Sequence, residues 1–180
     1  MLQITVPKRE AWDEKSEQFV SIPETTICLE HSLISISKWE SKWHIPFLGK
    51  DRKTIEQITD YIRCMTITPN VKPEIYDFLS QENINDVLSY IEDPMTASTV
   101  RELGGSKRSS ELITSELIYY WMVALQIPFE CQKWHVNRLM MLIRICNVKN
   151  QPSKKMSKRS AMQQNAALNA ARRQHMHSKG

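Results

Sequence analysis

Residues 149–180 carry eight Lys and Arg and no Asp or Glu. The eight are Lys149, Lys154, Lys155, Lys158, Arg159, Arg172, Arg173 and Lys179, and the last acid in the chain is Glu130. Residues 1–148 hold the other sixteen cations and all twenty acids, so the whole-chain charge of +4 divides into a −4 body and a +8 tail. Charge of one sign with little apolar material cannot close a core, because repulsion opposes compaction and too little surface is buried to offset chain entropy. The body is therefore expected to fold, and the tail to meet something acidic.

The body, about 150 residues, matches the common size of one domain and can bury a sizeable core. Four glycines in 180 residues disfavour turn-rich β architectures and favour helices. Met1–Lys8 shows no charged leader ahead of an apolar run, so no signal peptide is expected. The longest uncharged apolar run, between Glu116 and Glu130, is interrupted by Pro128 and falls short of the roughly 20 residues a membrane span needs. Cys28, Cys64, Cys131 and Cys146 lie far apart, which suits free thiols in a reducing cytoplasm.

The expected fold is mainly α with a small N-terminal β element. Alternation predicts strands over 2–6, 17–22 and 25–30, with Ser21–Thr25 as the turn between the second and third. Residues 1–31 thus read as N-terminal strands or an arm, 32–148 as a helical body and 149–180 as the tail. Ile36, Trp39 and Trp43 share a face of a helix over 32–44 that Pro46 ends. Thr54-Ile55-Glu56-Gln57 is a capping-box start, with Ile55, Ile58, Ile62 and Met65 as the inward stripe. Pro73 opens a short helix to about Leu79, and 82–92 forms another with Ile84, Val87, Leu88 and Ile91 inward.

The Gly/Ser-rich segment 101–110 separates this part from a helical hairpin at about 111–147, which turns at Pro128. Its second arm is apolar on both faces: Val136, Leu139, Met140 and Ile143 on one, Trp134, Met141 and Ile145 on the other. Residues 157–174 favour helix by composition but carry a thin apolar stripe, so a flexible or conditionally helical tail is expected.

Motifs for chemistry are sparse. Gly104-Gly105 fits neither the P-loop nor the dinucleotide pattern. Cys131 and His135, spaced i and i+4, are half a metal site, but His31, His44 and Cys146 stand at no telling spacing. A nucleophile elbow is missing, and the carboxylates read as solvated faces. The expectation is a protein that is not an enzyme and has no cofactor or metal.

Two binding features remain. Up to eight tail cations attract polyanions over about one Debye length. Without aromatics to stack bases, the tail favours docking on an acidic protein face, the body of a neighbouring copy included, ahead of non-specific nucleic acid. The hairpin offers Trp121, Met122, Trp134, Met140, Met141 and Ile145 as an adaptable apolar surface for a partner, with core packing as the competing role.

Three stretches carry a family resemblance: Leu29-Glu30-His31-Ser32-Leu33-Ile34-Ser35-Ile36-Ser37-Lys38-Trp39-Glu40-Ser41-Lys42-Trp43, Ile127-Pro128-Phe129-Glu130-Cys131-Gln132-Lys133-Trp134-His135, and the ending from Lys155-Met156-Ser157-Lys158-Arg159 to Asn165–Arg173. The chain resembles small tailed-phage morphogenesis proteins of the tail gene region. That resemblance implies a tail assembly chaperone-like role in the host cytoplasm, holding a helical client such as the tape measure protein. A virion structural protein of the tail, neck or capsid, its basic tail touching neighbouring subunits or nucleic acid, is the alternative. Self-association is compatible with either.

Overall fold

The computed structural model describes residues 1–13, 18–99, 112–150 and 158–176. The chain divides into two compact units, Met1–Val148 and Lys149–Gly180. The fold is mainly α with a small N-terminal β element.

In the first unit, strands Leu2–Val6 (β1), Arg9–Asp13 (β2), Gln18–Ile22 (β3) and Thr25–Leu29 (β4) form two antiparallel ladders, β1 with β4 and β2 with β3. Both keep a single register, from Leu2 opposite Leu29 through Val6 opposite Thr25 to Arg9 opposite Ile22. Ser21–Thr25 is therefore no hairpin turn, contrary to the sequence expectation, since β3 and β4 run on along the same partner strand. Pro7 and Pro23 fall in the gap, where a residue without an N–H cannot continue a ladder. Ile4, Val6, Ile27 and Leu29 alternate inward and are buried; all but Val6 join the main helical core cluster. Strands β1 and β4 are thus part of the core.

Helix α1 (Leu33–Trp43) starts at Ser32, whose hydroxyl accepts the Ser35 N–H, and ends on His44 in the left-handed conformation. Leu33, Ile36 and Trp39 form its buried stripe. Helix α2 (Ile55–Met65) carries the expected capping box between Thr54 and Gln57. Its inward face is Tyr61, Ile62 and Met65, while Ile55 is exposed at the first helical position. The two helices are pinned by Trp39 Nε1–H to the Gln57 carbonyl (2.9 Å) and by Asp60, which accepts Lys42 Nζ (2.6 Å) and Trp43 Nε1–H (2.9 Å). Burial would raise the Asp60 carboxyl, but those two hydrogen bonds and the charges of Lys42 and Arg63 hold it below its ordinary value.

A 3₁₀ turn, Pro73–Phe78, leads to α3 (Gln81–Glu92). Here the inward set differs from the periodicity reading: Asn83, Val87 and Tyr90 are buried, and Leu88 is exposed. Asn83 is drawn in because its side chain closes the capping box with Ser80 and donates to the Thr5 carbonyl of β1 (3.3 Å). The expected loop at 101–110 lies outside the described residues. Helix α4 (Ser115–Ala124) buries Ile118 and Met122, and α5 (Val136–Asn150) buries Val136, Leu139 and Ile143.

The hairpin's second arm is not one helix from 129. A 3₁₀ turn, Phe129–Lys133, stops at Trp134, and α5 begins only after His135 pairs with Ser32 as a β-bridge. The second unit is described by helix α6 (Lys158–Met176), helical throughout, with every described side chain exposed.

Glu40 is the buried carboxylate that ties the body's distant parts. One oxygen accepts the Phe47 N–H (2.7 Å), and the other accepts the Ser115 N–H at the first turn of α4 (2.8 Å). A carboxylate at a helix N-terminus gains from the dipole as well as from the bond. Glu40→Gln puts an amide NH₂ against one of these N–H groups and is expected to cost about 2–3 kcal/mol. Urea denaturation should show a lower midpoint at unchanged slope, while Lys38→Ala on the same helix stays within about 0.5 kcal/mol.

Candidate functional site

The hairpin is held in place by a buried set of rings. His31 lies between β4 and α1 and His135 just before α5, and the two segments meet through the Val136 N–H, which donates to the His31 carbonyl (2.8 Å). Their rings stand edge to face with centroids 4.9 Å apart. His31 Nδ1 hydrogen-bonds the Tyr61 hydroxyl, and Tyr61 stacks on Phe47 at 3.8 Å. Trp39 closes on Phe47 edge-on at 5.2 Å. His135 Nδ1 accepts the Asn137 N–H (3.3 Å), which leaves Nε2–H to donate to the Tyr90 carbonyl (3.0 Å). Asn137 donates to the carbonyls of Ile91 (3.0 Å) and Asp93 (2.7 Å), so the end of α3 is capped by the start of α5.

Burial, with the neighbouring His135, pulls His31 down to about 3. Burial also lowers His135, offset in part by the Tyr90 carbonyl and the carboxylates of Glu30 and Asp93. Tyr90 in turn is raised by burial and by its hydroxyl's bond to Glu30 (2.7 Å). The candidate metal half-site is not an i, i+4 pair on one α-helix: Cys131 lies in the 3₁₀ turn, and both nitrogens of His135 are engaged. Among the described residues, no three His, Cys, Asp or Glu side chains are placed to share a metal ion. This cluster joins segments.

The predicted partner-binding residues separate by burial. Met122 is a core residue with no exposed surface, a correction forced by its position beside Ile118 on the inward face of α4. Trp121, Trp134 and Met140 are half-buried against the core, and Arg138 lies over the Trp134 ring at 4.3 Å. Met141 and Ile145 are half-buried on α5. Exposed apolar side chains around α4 are Tyr120 (65 %) and Val123 (61 %) on the helix, Leu112 (64 %) before it and Phe129 (53 %) after it; others, such as Ile55 and Ile67, stand singly elsewhere on the body. Tyr120 and Val123, three residues apart, share the solvent face of α4. The signal in the sequence was a helix with a single charge, Glu116, whose outward side had to be apolar too.

An open pocket of about 280 Å³ lies between the end of α1 and the start of α4, lined by Glu40, Ser41, His44, Ile45, Pro46, Thr114 and Glu116. Glu40 is already committed to two backbone N–H groups, leaving His44 and Glu116 as its exposed titratable groups. Of the tail cations, Lys149 is exposed at the end of α5, and Arg159, Arg172 and Arg173 are exposed on α6. Lys158 begins α6; Lys154, Lys155 and Lys179 lie outside the described residues. Among the described residues, no helix is long and apolar enough to cross a membrane.

Both imidazoles have folded values below their unfolded one, so the unfolded chain binds protons first. The stability tied to His31 is complete above about 6.5 and is lost as pH falls from there toward about 3, where His31 itself protonates. The urea-derived stability should drop by up to about 1.4 kcal/mol per pH unit across that window on account of His31, with His135 adding to the fall in the same direction. His31→Asn should be less stable near neutrality and fall more gently with acid. Comparison of the chain with protein-family models, with curated proteins and with solved structures found no match.

Proposed function

We propose that this chain is a non-enzymatic morphogenesis protein, a phage tail assembly chaperone-like factor that holds a helical client such as the tape measure protein in the host cytoplasm. The observation that carries this reading is the solvent face of α4, where Tyr120 and Val123 stand exposed with Leu112 and Phe129 on either side in sequence. Single exposed apolar residues are ordinary. An aromatic and an aliphatic side chain sharing one exposed helix face offer the apolar side of an amphipathic client a surface to pack against.

The buried titratable groups favour binding over chemistry. His31, His135, Glu40 and Asp60 are each held by structural hydrogen bonds within the body. The phage setting rests on the resemblance of residues 29–43, 127–135 and 155–173. A virion component is the second reading, supported by α6, an exposed helix without an acidic residue that suits contact with neighbouring subunits.

A pull-down of the tagged full-length chain from infected cells, with and without nuclease, separates the two. The chaperone reading expects nuclease-resistant recovery of a long helix-rich protein, lost with Tyr120→Glu/Val123→Glu. That variant should keep its urea-derived stability to within about 0.5 kcal/mol, since both side chains face water. Recovery of capsid or tube subunits, or a fixed high copy number in purified particles, would reject the chaperone reading.

A further inference from the structure

We propose that the cationic face of α6 binds the phosphate backbone of double-stranded nucleic acid without reading its sequence. At 100° per residue, Arg159, Arg172 and Arg173 fall within an arc of about 140°, and Asn165 and Asn169 lie inside the same arc. All five side chains are exposed. The opposite face holds no Lys or Arg; Ala167, Ala171, Gln164 and His175 lie there. No acid follows Glu130 in the sequence, so α6 carries no carboxylate to neutralise its cations.

Three features favour a nucleic-acid duplex over an acidic protein. A helix that docks on protein presents apolar anchors at i, i+3/i+4 and i+7. Leu168 instead lies about 80–120° around the helix from Met176 and Met162, which fall inside the cationic arc itself, so the large apolar side chains line up in no such stripe. A single sign of charge suits a uniform polyanion, whose phosphates accept the arginine fork and the amides of Asn165 and Asn169. The cations also stand at the two ends of the helix. Arg159 and Arg172 are about 20 Å apart along the axis, enough for a helix lying obliquely over a major groove about 12 Å wide to reach both bordering strands. The tail has no Phe, Trp or Tyr to stack on unpaired bases, which favours a duplex over a single strand. This inference concerns Lys149–Gly180 and holds whether the chain leaves the particle or stays in it.

Fluorescence anisotropy of the full-length chain with two unrelated labelled duplexes tests it. Equal affinity for both is expected, with log K falling linearly in log salt between about 50 and 200 mM. Arg172→Gln/Arg173→Gln should flatten that slope by about 2, at roughly 0.9 per phosphate contact, with the helical circular dichroism unchanged. Poly-glutamate of matched charge should compete weakly. No binding at about 50 mM salt, a slope indifferent to the double substitution, or displacement of the duplex by poly-glutamate at equal charge would each overturn the proposal.

Discussion

The contact between His31 and His135 is the joint on which the body depends. It brings the junction of β4 and α1 against the start of α5, although the two residues are separated by most of the body's sequence. Tyr61 of α2 and the Tyr90 carbonyl of α3 complete the arrangement, so one ring pair joins the β4–α1 junction, α2, α3 and α5. Helix α4 is secured separately, through Glu40 at its first turn. Both devices use polar groups in an apolar interior, where an unmatched partner costs more than a matched one contributes. The body's geometry is thereby specified more sharply than packing alone would do.

Local chemistry explains how far the sequence could be read. The cap at Thr54 and the stop at Pro46 act within a few residues, and the helices at 33–43, 55–65 and 81–92 fall close to where the sequence places them; the structure adds caps at Ser32 and Ser80. Which face turned inward was less legible. Periodicity placed Ile55 and Leu88 in the core, but Tyr61 and Asn83 took those roles through partners distant in the sequence. The break at Trp134–His135 has the same origin: a bridge to Ser32 ends what the apolar run would continue as helix. Strand β2 was missed because Arg9–Asp13 lacks strong alternation and is defined by its partner's register.

The candidate surface was half legible for a related reason. A helix as apolar as α4 announces that some face lacks a partner, yet its sequence does not say which. Met122 and Tyr120 are two residues apart and differ only in which way the helix turns them. The tail was the converse case. Its charge was plain from composition, while the grouping of arginines and asparagines on one side required the helical register of α6.

The gap in the N-terminal ribbon has a consequence for how the protein opens. Continuing the common register sets Pro7 opposite Glu24 and Lys8 opposite Pro23, so each of the two facing pairs lacks a donor. Unzipping that starts in β2–β3 meets no hydrogen bond to pass across, and β1–β4 is anchored independently by Ile4, Ile27 and Leu29. The ribbon thus behaves as two exchange domains: amides beyond the prolines open to solvent on their own, and those of β1–β4 only when the core itself gives way.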